Sequence, residues 1–126
     1  MRSRPLLACF ACATALVAAC APDAMDSSPA YDAFLTRLQQ ACVGQKIGSA
    51  RVDDLIEDSQ TSRGGFFVDQ TSRLYFGTTS PQDYATGVSA FLNGWPSDPG
   101  VQCVLREYEQ QRQFTTPAPS AAPPQR

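Results

Sequence analysis

A chain of 126 residues with 10 basic and 12 acidic side chains, a net charge of −2 and no histidine has room for one small domain and little else. It has no run of Lys and Arg to meet a phosphate backbone, which excludes nucleic acid as a partner. The missing histidine removes the commonest general base and metal ligand and every Ser–His or Cys–His nucleophile pair, so no catalytic residue, metal site or cofactor is expected.

The first segment reads as an export leader. Arg2 and Arg4 precede an apolar stretch from Leu6 to Val17 that is too short to span a membrane, which takes roughly 20 apolar residues. The stretch closes on Leu16-Val17-Ala18-Ala19-Cys20. A branched apolar residue, small residues and then a cysteine is the order that a bacterial lipoprotein signal requires. On this reading residues 1–19 are removed, the Cys20 thiol carries a diacylglycerol, and Cys20 becomes the N-terminus. The alternative is an ordinary secretory signal cut after Ala21, since Ala19-Cys20-Ala21 also has the small-x-small form. Cys9-Phe10-Ala11-Cys12 matches a redox C-x-x-C as a string but falls in the discarded peptide. Acyl chains hold a protein to the membrane at about 0.8 kcal/mol per buried methylene. Ala21, rather than Asp, after the cysteine resembles lipoproteins passed on to the outer membrane. The expected location is the cell envelope, lipid-anchored at the outer membrane and facing the periplasm.

Loss of the leader leaves 107 of the 126 residues, and loss of Arg2 and Arg4 takes the net charge from −2 to −4. Residues 20–28 read as a tether. Residues 115–126, with four prolines in twelve positions, read as a disordered Pro/Ala-rich tail. The domain between them, 29–114, is expected to be an all-α bundle of about five short helices closed by one disulfide. Its first helix starts with Ser28 as cap and Pro29 in the first position, carries Tyr31, Phe34, Leu35, Leu38 and Cys42 at spacings of three and four, and stops at Gly44. A second is expected from Ser49 to about Gln60, burying Val52, Leu55 and Ile56. Gly64 to Gly77 is ambiguous. Phe66-Phe67-Val68 and Leu74-Tyr75-Phe76 could pair as a hairpin, while Phe67, Thr71, Leu74 and Tyr75 share a helical face. The helix is favoured because a lone two-stranded ribbon is marginal in water, and Gly64-Gly65 is expected to be the break before it. Ser80, Pro81 and Asp83 open a further helix that buries Tyr84, Val88, Phe91 and Leu92. Trp95 to Gly100 is expected to be a rigid loop, and the last helix turns Val101, Val104, Leu105 and Tyr108 inward.

With Cys9 and Cys12 discarded and Cys20 acylated, Cys42 and Cys103 remain. In an oxidising compartment they most simply pair, the other reading being two buried thiols. Asp53, Asp54, Glu57 and Asp58 cluster on the outer side of the second helix, either as a solvated face or as a partner-binding patch. Asp53 and Glu57 lie one turn apart but on an outer face, without the water-excluding cleft that acid–base catalysis needs. Trp95 either folds back onto the bundle, the favoured reading, or stands out as an anchor for a partner.

The order of a cysteine ending a helix (Cys42), Ser72-Arg-Leu-Tyr75-Phe-Gly77, Tyr84 in a helix and a closing Cys103-Val-Leu-Arg-Glu-Tyr108 resembles the periplasmic immunity proteins that neutralise type VI secretion amidase effectors. The likeness spans Phe34 to Tyr108. It implies a small secreted all-α domain with cysteines near the first and last helices, working as a homodimer that blocks a peptidoglycan hydrolase. No effector-contacting residue carries over. The lipid anchor and the Trp95-Pro96 loop depart from the pattern. The expectation is therefore a lipid-anchored, non-enzymatic binding protein that occludes a cell-wall-degrading effector. The alternative is a pilotin-like accessory lipoprotein of a secretion or envelope machine.

Overall fold

A computed structural model of the chain describes residues 28–115. The leader 1–19, Cys20, the tether up to residue 27 and the tail after Thr115 lie outside the described residues. Within them the chain is an all-α domain of five helices closed by a Cys42–Cys103 disulfide.

Helix α1 (Pro29–Ala41) opens as its cap dictates. Ser28 is extended, its hydroxyl accepts the Tyr31 N–H at 3.1 Å, and Pro29 takes the first position, where no N–H is needed. Tyr31, Phe34, Leu38 and Cys42 are buried along one stripe. The next segment corrects the expected second helix. Residues 49–51 are not helical: β1 (Lys46–Ile47) and β2 (Ala50–Arg51) pair antiparallel, with Lys46 opposite Arg51 and Ile47 opposite Ala50. Gly48 has φ +58° at the turn, a conformation that a side chain disfavours. Ile47 is fully buried, so it draws this ribbon against the core. Helix α2 begins only at Val52 and ends at Glu57, burying Val52 and Leu55.

The ambiguous stretch is helix α3 (Ser62–Tyr75), capped by the Thr61 hydroxyl, which accepts the Gly64 N–H at 3.1 Å. Phe67, Val68, Thr71 and Leu74 face the core. Gly64-Gly65 is not a break but the first turn of this helix. A Cβ on Gly64 would lie 2.3 Å from the Asp58 carbonyl oxygen and 2.6 Å from that of Leu55. Its missing side chain lets α3 pack directly on the last turn of α2. Helix α4 (Pro81–Phe91) is capped by Ser80, which accepts the Asp83 N–H at 3.1 Å. Tyr84, Ala85, Val88, Ser89 and Leu92 form its buried stripe. Phe91, expected inside, sits one step around the helix. It is 44% exposed and stacks on Phe66 with ring centroids 3.9 Å apart. Small Ala85 and Ser89 are buried on the inner side of the helix in its place. Helix α5 (Pro99–Thr115) completes the bundle.

Two buried tyrosines carry their hydroxyls to partners. Tyr31 donates to the Val68 carbonyl at 2.7 Å, and Tyr84 lies 3.0 Å from the Thr71 hydroxyl. Burial pushes Tyr84 well above the ordinary tyrosine range, so it stays neutral. The Cys42–Cys103 bond, with Cα atoms 5.8 Å apart and 61 residues of separation, contributes about 4 kcal/mol by the chain-entropy account. Helices α1 and α5 run antiparallel. Arg37 donates to the Gln111 side-chain oxygen and faces Glu107 at 3.8 Å. The disulfide marks one end of the pair, and Ser28 with Thr115 marks the other.

Two glycine substitutions separate close packing from helix propensity. Gly64→Ala is expected to destabilise by about 2 kcal/mol, because the obstruction is backbone and cannot move aside. Gly87→Ala, in α4 with nothing within 4 Å of its Cβ position, is expected to stabilise by about 0.5–1 kcal/mol. Urea unfolding of both variants measures the difference.

Candidate functional site

The connection from α4 to α5 is short and held by several backbone hydrogen bonds. Helix α4 ends with Asn93 at φ +55° and the Gly94 N–H bonded to the Ser89 carbonyl at 2.8 Å, a helix stop in which Asn tolerates the left-handed conformation. The Asp98 carboxylate then organises the loop. One of its oxygens accepts the Trp95 N–H at 3.0 Å and the Gly48 N–H at 2.8 Å, so the loop is fastened to itself and to the hairpin. The Asp98 N–H returns to the Trp95 carbonyl at 2.9 Å, and the Gln102 side chain donates to the Pro96 carbonyl at 3.0 Å. Contact at this junction is backbone on backbone: a Cβ at Gly48 would lie 2.4 Å from the Leu92 carbonyl oxygen. The N–H groups of Gly48 and Trp95 hold the Asp98 carboxyl below the usual carboxylate range.

Trp95 stands on this fastened backbone with 74% of its surface exposed. The expectation that it folds back onto the bundle is overturned: the indole lies in solvent above a backbone held by Asp98. Beside it lies a hollow of about 420 Å³, lined mainly by apolar surface from Pro81, Ala85, Pro96 and Leu105 with Gln82 and Gln102 at its edges.

The four acidic residues of the second helix do not act as one group. Asp53 is turned inward, accepting the Gly44 N–H at 2.9 Å and the Arg51 guanidinium. The Gly44 bond first, and Arg51 after it, keeps its carboxyl below the usual range. Asp54 and Asp58 border a second hollow of about 440 Å³ together with Lys46, Arg51 and Arg63, so cations interrupt the negative face. Glu57 is exposed and outside that hollow. The hairpin links the two surfaces, since Gly48 touches the Asp98 loop while Lys46, Ser49 and Ala50 line the second hollow. Cys20 lies outside the described residues, and Cys42 and Cys103 are bonded and buried.

Asp98 and Gly48 are the residues that sequence reasoning missed. A signal for Asp98 was present: Asp98-Pro99 repeats the pattern of Ser28-Pro29 and Ser80-Pro81, a short polar residue before a proline that opens a helix. Among the described residues no group of three or more acidic, cysteine or histidine side chains could hold a metal ion, and no helix is long and apolar enough to cross a membrane. Compared with protein-family models, curated proteins and solved structures, the chain matches none.

The loop carries a pH signature. Because the folded pKa of Asp98 is lowered from 3.8, the stability it contributes is complete above the unfolded value and is lost as pH falls through the folded one. Asp98→Ala is expected to flatten the stability profile in that acid window. At neutral pH, amide exchange at Gly48 and Trp95 should rise on the order of tenfold. Acid titration of stability and hydrogen exchange by NMR read the two effects.

Proposed function

We propose that this chain is a lipid-anchored binding protein of the cell envelope that holds a protein partner against the Trp95 loop. The observation that carries the reading is an indole 74% exposed on a backbone fastened by Asp98. Large aromatic side chains presented on rigid backbone are the residues that dominate protein interfaces, because little freedom is lost when they are covered. The apolar hollow beside Pro96 gives the contact depth. The disulfide supports an oxidising compartment, where such bonds persist, and the Leu16–Cys20 run supports acylation at Cys20. In the form that the immunity-protein resemblance implies, the partner is a peptidoglycan-degrading effector whose active-site cleft the domain occludes. Steric occlusion asks for a rigid surface and no catalytic group on the inhibitor.

The test is capture of a partner by the mature chain, followed by a peptidoglycan-hydrolysis assay of the complex. A bound wall hydrolase with its activity blocked supports occlusion. Recovery of secretion or envelope subunits with no hydrolase inhibited replaces it with the accessory reading. Trp95→Ala should weaken the complex by about 2 kcal/mol, roughly thirtyfold, while leaving stability within about 0.5 kcal/mol. Charge reversal at Asp54, Glu57 and Asp58 tests whether the acidic face steers a basic partner. A steered complex loses association rate and salt dependence. Asp53 is left out of that set, because its carboxylate holds Gly44.

A further inference from the structure

The two ends of the bundle differ in what they expose. At the disulfide end stands Trp95. At the other end α1 begins, α5 finishes and α3 stops, and Tyr31 packs on Tyr75 and Phe76 with ring centroids 5.4 and 5.8 Å apart. Phe76 still leaves 40% of its surface to solvent. Tyr75 shares a small hollow with Tyr108, Gln111, Arg112 and Thr115, which brings the last turn of α5 to the same end. Phe114, in that turn, is 84% exposed. Two exposed phenylalanines thus lie at the end of the bundle where Ser28 caps α1. Phe76 is followed by Gly77, Thr78 and Thr79, none of them charged, while Asp32, Arg73 and Arg112 bring charges of both signs to this end.

The length of the connection says what can cover this end. Seven residues separate Cys20 from Ser28, eight steps along the chain, and a fully extended chain spans at most about 3.6 Å per step, so Ser28 lies no more than about 29 Å from the acylated residue. The domain cannot leave the membrane surface by more than about its own length, since α1 alone is roughly 20 Å long. Phenylalanine held within that range gains by entering the boundary between headgroups and acyl chains. Resting on the lipid-anchored reading above, we propose that Phe76 and Phe114 seat this end of the domain on the lipid surface that carries Cys20, with Trp95 directed away from the bilayer.

Trp95 is the chain's one tryptophan and makes the proposal measurable. The acylated mature chain is reconstituted in phosphatidylethanolamine–phosphatidylglycerol vesicles with and without brominated acyl chains. Emission from the parent protein should be unchanged by bromine. The paired variants Trp95→Phe with Phe76→Trp, and Trp95→Phe with Phe114→Trp, should each lose emission by about twofold. Unquenched emission from both paired variants in vesicle-bound protein, or quenching of Trp95, overturns the seating while leaving the anchor in place. A blue-shifted Phe114→Trp emission in detergent, with doubled mass by light scattering, means that a second copy covers this end and also overturns it. A Cys20 peptide found unacylated by mass spectrometry removes the anchor, and the seat with it.

Discussion

Cys42 closes α1 and Cys103 lies in the first turns of α5, so their bond ties the first and last helices at the end where the chain is least regular. The two-residue ribbon, the stop of α4 and the start of α5 all meet there. Beside the buried Ile47 side chain, which lies against Gly100, the contacts are close and polar: Gly48 lies against the Leu92 carbonyl, and the Asp98 carboxylate bridges the amides of Gly48 and Trp95. Connections of this kind are ordinarily the first parts of a fold to open. Here the cross-link holds the two flanking helices in register, and the carboxylate satisfies the amides that would otherwise face water. The presentation of Trp95 depends on both.

Much of the helical frame was legible because each start is written in a few adjacent residues. Ser28-Pro29 and Ser80-Pro81 place the caps of α1 and α4, and helical spacing of Phe67, Thr71 and Leu74 selects helix over hairpin for α3. The features that escaped are set by neighbours rather than by local pattern. A ribbon of two residues per strand is too short for alternation to reveal. Gly64 looks like a break until the carbonyls of Leu55 and Asp58 are brought against it. Phe91 has helical spacing with Tyr84 and Val88, yet Ala85 and Ser89 are the buried residues beside them, and Phe91 stacks on Phe66 at the surface.

The acidic helix shows how composition and geometry part company. Asp53 and Glu57 are equally acidic in the sequence, but Asp53 braces the turn after α1 while Glu57 is exposed. With Lys46, Arg51 and Arg63 beside Asp54 and Asp58, the field over this surface changes sign within a few residues. Such a surface discriminates by pattern rather than by net charge. The Trp95 surface differs in kind, with an exposed indole and an apolar hollow beside it. The hairpin that separates them belongs to the disulfide end, so a partner large enough to cover one reaches the rim of the other.

The position of the cross-link has a further consequence when the chain is cut by a protease. A peptide-bond cut anywhere between Val43 and Gln102 falls inside the covalent loop and yields two fragments that remain joined through Cys42 and Cys103. The loops before α4 and around Trp95 lie within that span. A nicked molecule would keep both halves at high effective concentration, and the packed core would hold them together. A clipped copy would therefore still migrate as one species until a reductant separates it.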